Sequence, residues 1–156
     1  MNKPENITFK FSSPNDSTGY LLGQVTLLWQ RRHKKVLDPL NLTQTQFVLL
    51  TALAWLSKEN DYVTQVDIAN QGNADRMMVS KVLRTLEDKQ FIERNEHPTD
   101  TRAKVIVMTK QGAKVLQKAL IAIEETDIDF FAVLGNKLNT FNKNMIKLIA
   151  NNKVEH

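Results

Sequence analysis

The chain has 156 residues, 42% hydrophobic and 24% charged, with a net charge of +4, a composition suited to one globular domain with an ordinary core. No apolar run approaches the roughly 20 residues needed to cross a bilayer, and the opening MNKPENITFKF carries no signal-type apolar stretch, so the cytoplasm is the expected compartment. Zero cysteines exclude disulfides, thiolate metal sites and any cysteine-based oxidation switch.

Residues 1–16 hold Pro4, Pro14 and several small polar residues and read as an arm rather than a helix. Ile7, Phe9 and Phe11 alternate there, which fits a short strand or three anchors laid on another surface. Two Phe so close together favour a docked arm over a disordered tail. From Ser17 or Thr18 the pattern turns helical. Leu21, Val25 and Leu28 form one stripe and Leu22, Trp29 and Val36 an adjacent one, up to Asp38-Pro39, where Pro disfavours helix in the residue before it. Apolar residues on more than one face suggest a helix packed on its own domain and on a partner chain. Its end carries Arg31, Arg32, His33, Lys34 and Lys35, read first as a solvated helix end whose positive charge suits the C-terminal dipole, with DNA or anionic-ligand contact as the alternative. Thr43-x-x-Gln46 is a capping box opening the next helix, with Phe47, Leu50 and Ala54 on one stripe and Leu49, Leu53 and Leu56 on another. Tyr62-Val63 fits a small third strand.

Residues 64–109 carry the most information. Thr64 with Asp67 resembles a capping box over a short helix, which stops at Gln71-Gly72-Asn73, a turn suited to joining two helices steeply. Val79, Val82, Leu83 and Leu86 then form one apolar stripe of helical period, and the opposite face carries Arg76, Met77, Ser80, Lys81 and Arg84. Phe91, Ile92 and Arg94 read as a strand, His97-Pro98-Thr99-Asp100 as a turn and 105–108 as a β-branched return strand. Residues 76–110 hold eight Lys/Arg against five Asp/Glu, and mild basicity concentrated there fits a nucleic-acid footprint.

After Thr109, an expected N-cap, a long helix begins near Lys110 and runs past Ile123 towards Phe131, with Val115, Ala119, Ala122 and Ile123 inward and Glu124, Glu125, Asp127 and Asp129 as an acidic counterweight. Gly135-Asn136 breaks it. Leu138, Phe141, Met145, Leu148 and Ile149 define a last amphipathic helix. The fold expected is mainly α with a small β component (α+β): a winged helix-turn-helix with additional N- and C-terminal helices, in a single domain over 1–156. Residues 43–109 form the reading head. Residues 1–40 and 110–156 supply helices whose surplus apolar faces are expected to make a homodimer.

A helix can enter the major groove only where its leading face offers donors without bulky apolar obstruction. Arg76, Ser80, Lys81 and Arg84 meet that need for guanine edges or phosphates. Of Met77 and Met78, one can contact a thymine methyl; Met78 is expected to fill the core instead. Arg102, between Asp100 and Lys104, is placed to enter a narrow minor groove and read its negative potential. Asp100 is expected to orient the guanidinium, since a free carboxylate repels phosphate. His97 is expected to serve the turn alone.

The order of short helix, turn and basic helix with Leu86-Glu87, then Phe91-Ile92-x-Arg94, Asp100-x-Arg102-Ala103-Lys104 and Val107-x-Thr109, resembles the MarR family of bacterial winged-helix regulators. The Asp-x-Arg wing tip is its most specific part, and the flanking helices extend the likeness over nearly the whole chain. The resemblance implies a two-fold dimer on double-stranded DNA, a repressor's role, and a small aromatic or anionic effector bound between the dimer helices and the head. Trp29, His33, Phe47 and Trp55 are the candidate pocket lining, their ordinary reading being core. One position departs from the family's pattern: Gln90 stands where such proteins usually have Gly. A C′ residue commonly takes positive φ, at roughly 1 kcal/mol for Gln, so either Gln90 carries that strain or the helix ends differently.

Two other classes compete. An enzyme needs a site, and the chain offers no phosphate loop, metal spacing, cofactor motif or nucleophile motif, only three scattered histidines. A winged-helix module for protein–protein contact or assembly, without an operator, is the stronger alternative.

Overall fold

A computed structural model describes residues 7–153. Its helices are α1 (Thr18–Leu37), α2 (Gln44–Leu56), α3 (Gln65–Gln71), α4 (Arg76–Asp88), α5 (Lys110–Phe131) and α6 (Leu138–Asn151), with strands β1 (Ile92–Glu96) and β2 (Lys104–Met108) between α4 and α5. The strands pair antiparallel, Ile92 opposite Met108 and Glu96 opposite Lys104. The expected third strand is a single bridge between Thr64 and Val105, reinforced by the Ile106 amide donating to the Val63 carbonyl at 2.8 Å.

Local chemistry sets these boundaries. Thr43 and Gln46 cap each other reciprocally at the start of α2, and Thr64 and Asp67 do so at α3; each pair satisfies two otherwise unpaired amide donors. The Asp75 carboxylate accepts from the Met78 amide at 2.9 Å and opens α4. Between α3 and α4 the left-handed residue is Asn73 (φ 47°), while Gly72 keeps negative φ. The Asn73 and Ala74 amides donate back to the Asn70 and Ala69 carbonyls, a Schellman closure in which Asn tolerates the αL position.

The core lies in the head. α2 is buried along most of its length through Phe47, Leu49, Leu50, Ala52 and Leu53, and packs with Ile68, Val79, Leu83, Leu86, Ile92 and Ile106. Leu116, Ala119 and Ile123 bring α5 onto it; the inward stripe therefore includes Leu116, while Val115 and Ala122 are half-buried. At residues 7–11 the N-terminal arm forms no strand, and on the single chain its apolar residues stand exposed. Phe9 is 80% exposed and Ile7 and Phe11 more than half so. A capped 3-10 turn follows at Pro14–Asp16. Residues 1–6 of that expected arm, Pro4 included, lie outside the described residues.

Candidate nucleic-acid interface

The joint between α4 and the wing fixes where the basic face points. Gln90 takes φ 62°, so it does adopt the left-handed conformation that Gly would adopt without strain. Its amide donates to the Glu87 carbonyl at 2.8 Å and the Phe91 amide to Leu86 at 3.0 Å, again a Schellman closure. The Thr109 hydroxyl donates to the Gln90 carbonyl at 2.7 Å while accepting from the Gly112 amide at 2.9 Å, and the Thr109 amide donates to the Phe91 carbonyl. Gly112 has to be glycine here, since a Cβ on it would lie 2.0 Å from the Phe91 oxygen. Arg94 bridges back to Glu87 on α4 at 2.7 Å. The joint is determined from several directions at once, the condition under which a strained residue persists.

On α4, Met77, Met78, Ser80, Lys81 and Arg84 line one open groove; Arg76 is exposed one residue before it. Met78 is 38% exposed and faces this groove with Met77, which is 83% exposed. The expectation that Met78 fills the core is thus corrected: its backbone sits in the first turn, and Val79 takes the inward position beside it. Among the described residues, Arg76, Lys81 and Arg84 join no ion pair.

The cations of the wing and of the α4 C-terminus differ in engagement. Lys104 lies 3.5 Å from Glu96, its cross-strand partner. Lys89 turns inward, donating to the Asn41 carbonyl and to the Gln46 side chain. Arg102 is 96% exposed, and its Nε is 4.0 Å from the Asp100 carboxylate, which also accepts from the Arg102 amide at 3.0 Å. A pair so exposed holds the guanidinium only loosely.

The four candidate pocket residues do not converge. Trp29 and His33 stack with ring centroids 4.1 Å apart, and both donate to the same Asp127 oxygen at 2.7 Å. The Nε2–H tautomer of His33 follows from Gln44, whose side-chain amide lies 3.4 Å from Nδ1. Phe47 is buried in the core, whereas Trp55 is 61% exposed with the Lys58 ammonium 3.9 Å from its ring centre. Trp55 instead lines a cleft of about 390 Å³ between α2 and α5, with Lys58, Met108, Leu116 and Leu120. The basic run at 31–35 is a solvated helix end in four of its residues, with Arg32 paired to Asp129 and Lys34 to Asp38, while His33 is buried. Arg32 and His33 find their partners in the acidic residues of α5, a relation across 94 residues for His33 and Asp127 that periodicity alone does not reveal.

Two helices joined by a tight turn, the second basic and followed by a hairpin, define a winged helix-turn-helix of the transcription-regulator type. A profile of the MarR family matches residues 42–104. The uncharacterized HTH-type transcriptional regulator YdcH of Bacillus subtilis is 43% identical over 130 residues, covering 83% of this chain and 88% of that protein. The chain belongs to the MarR family of transcriptional regulators. The same fold occurs in MepR of S. aureus, solved as a DNA complex (TM-score 0.78, 24% identity, 89% of this chain and 99% of that one). It also occurs in CouR of Rhodococcus jostii bound to p-coumaroyl-CoA (TM-score 0.77, 19% identity, 94% and 100%). No helix among the described residues is long and apolar enough to cross a membrane.

Proposed function

We propose that the protein is a sequence-specific DNA-binding repressor that acts as a homodimer on a pseudo-palindromic operator. α4 enters the major groove and the wing reaches the adjacent minor groove. The observation that carries this reading is the α4 face, where Arg76, Lys81 and Arg84 stand exposed and unpaired among the described residues beside Ser80. A lone basic face is ordinarily a solvated one; the fully exposed Arg102 on the following hairpin adds the second contact that a winged reader needs. Arg76, Ser80, Lys81 and Arg84 serve base edges and phosphates, Met77 a thymine methyl, Arg102 the minor groove and Lys104 the backbone. Asp100 orients Arg102.

Dimerisation is supported by apolar side chains that the single chain leaves in water: Leu21, Leu22, Val25 and Leu28 on α1 and Ile146, Leu148 and Ile149 on α6. Patches of this kind mark interaction surfaces, and a two-fold dimer places two copies of α4 about one helical turn of DNA apart. A small aromatic or anionic effector, the ligand class suggested by the p-coumaroyl-CoA complex of CouR, regulates binding to the extent that it prefers one spacing of the two heads over the other.

Titrating the protein against random duplex DNA at increasing salt tests the DNA reading. A steep fall of affinity is expected, with a smaller slope when Lys81 or Arg84 is replaced by Ala. Near-absent binding at every salt concentration favours the protein–protein module instead. Selection from a random duplex pool is expected to return an inverted repeat, and enrichment of an unrepeated site overturns the dimeric reading.

A further inference from the structure

His97 does more in the wing than occupy a turn. Its Nδ1 accepts from the Asp100 amide at 3.1 Å and from the Thr99 amide at 3.2 Å, with the Thr99 hydroxyl at 3.4 Å. One imidazole lone pair thus gathers the donors of the turn that precedes Arg102. The next link is Asp100, whose carboxylate accepts from the Arg102 amide and faces its guanidinium. The ring itself is held from outside the wing, tilted against Tyr62 with centroids 5.4 Å apart. Tyr62 precedes Val63, whose carbonyl anchors β2. A chain of contacts therefore runs from the α2–α3 connection through His97 to the Arg102 backbone.

We infer that His97 is the positioning residue of the wing tip, and that it holds Arg102 in place only while Nδ1 is unprotonated. This inference rests on the DNA-binding reading of the wing. A neutral imidazole with its proton on Nε2 accepts at Nδ1; an imidazolium has no acceptor. Protonation sets an N–H against two backbone N–H groups and releases both. Among charged and titratable residues, Tyr62 lies against the ring and Asp100 donates its amide to Nδ1; Glu96 is the chain neighbour of His97, paired with Lys104, and Asp100 in turn faces Arg102.

The direction of the pH effect separates this mechanism from charge alone. Simple electrostatics makes a newly cationic His97 favour DNA, so affinity would rise on acidification. A protonation-sensitive latch makes it fall. His97→Asn supplies the control, because its Oδ1 can stand where Nδ1 stands and accept the same two amides without titrating.

The experiment follows duplex affinity from about pH 8 to pH 5.5 at constant ionic strength, together with the amide resonances of Thr99 and Asp100 in the DNA-free protein. For the native chain, affinity is expected to fall roughly tenfold on acidification, the scale of one lost specific contact, as both resonances shift together. His97→Asn is expected to hold its affinity and its resonances across the range. His97→Ala is expected to start about tenfold weaker, with a flat profile. Affinity that rises or stays level for the native chain overturns the inference, as does an equal fall in His97→Asn, which assigns the proton to another group. If no duplex binds at any pH, the DNA reading fails by itself and the two resonances still decide the latch: motionless amides overturn it.

Discussion

The reading head and the terminal helices treat similar side chains in opposite ways. In the head, α2 buries Phe47, Leu49, Leu50, Ala52 and Leu53, and α4 buries Val79, Leu83 and Leu86. Across its 20 residues α1 buries only His33 and Leu37, and among the described residues α6 buries nothing. Both terminal helices are amphipathic, so an apolar stripe alone does not tell where burial happens. A stripe inside one chain's core carries complementary stripes on neighbouring elements of that chain. A stripe with no such neighbour needs one from elsewhere. The head is complete as a single copy; the terminal helices are not.

The contrast breaks most directly at α6. Ile146→Asp is expected to weaken dimer association by about 3–5 kcal/mol, the scale of an uncompensated buried charge, while the head's near-ultraviolet circular dichroism persists. Sedimentation over a range of concentrations measures it. An unchanged dimer takes α6 out of the interface.

The seam between the two regions comes next. Gly112 begins α5 against the Phe91 carbonyl, and Gly112→Ala forces a Cβ into a 2.0 Å approach that only backbone movement relieves. A loss of about 3 kcal/mol is expected, seen as a fall in Tm of roughly 10 °C for a chain of this size, compared at one protein concentration because association stabilises the fold. Retention of the native Tm means that α5 docks more loosely than this contact allows.

Within the head, Arg102→Ala is expected to weaken operator binding by about 1–3 kcal/mol without moving Tm, because the side chain is exposed. A gel-shift titration that finds unchanged affinity removes the wing from recognition.

What could be read from the residues follows the same division. The α4 stripe and the capping boxes are local, set by side chains within a few positions of each other, and formed as expected. The Glu87–Arg94 and Glu96–Lys104 pairs were hidden, since they depend on how α4 meets β1 and on strand register. The pairing of Trp29 and His33 with Asp127 was further out of reach, because the partners stand 98 and 94 residues apart, with the whole head between α1 and α5 in sequence. Two backbone constraints emerge only in three dimensions: Asn73 rather than Gly72 takes the left-handed conformation between α3 and α4, and Gly112 is held small by a carbonyl 21 positions away in sequence.

Gln90 gives the smallest and sharpest test, because the head must supply what its conformation lacks. At φ 62° its Cβ crowds the backbone, and the two Schellman hydrogen bonds and the Thr109 hydroxyl hold it there. Gln90→Gly relieves roughly 1 kcal/mol of that strain but gives the unfolded chain about 0.4–1 kcal/mol more freedom. The net gain is expected to lie between zero and about 0.6 kcal/mol, or no more than roughly 2 °C in Tm. Gln90→Asn tolerates the left-handed region without glycine's full entropy, so it is expected to match or exceed Gly. If both substitutions lower Tm, Gln90 contributes through its own side chain, and the strain at this joint is then offset locally rather than by the surrounding head.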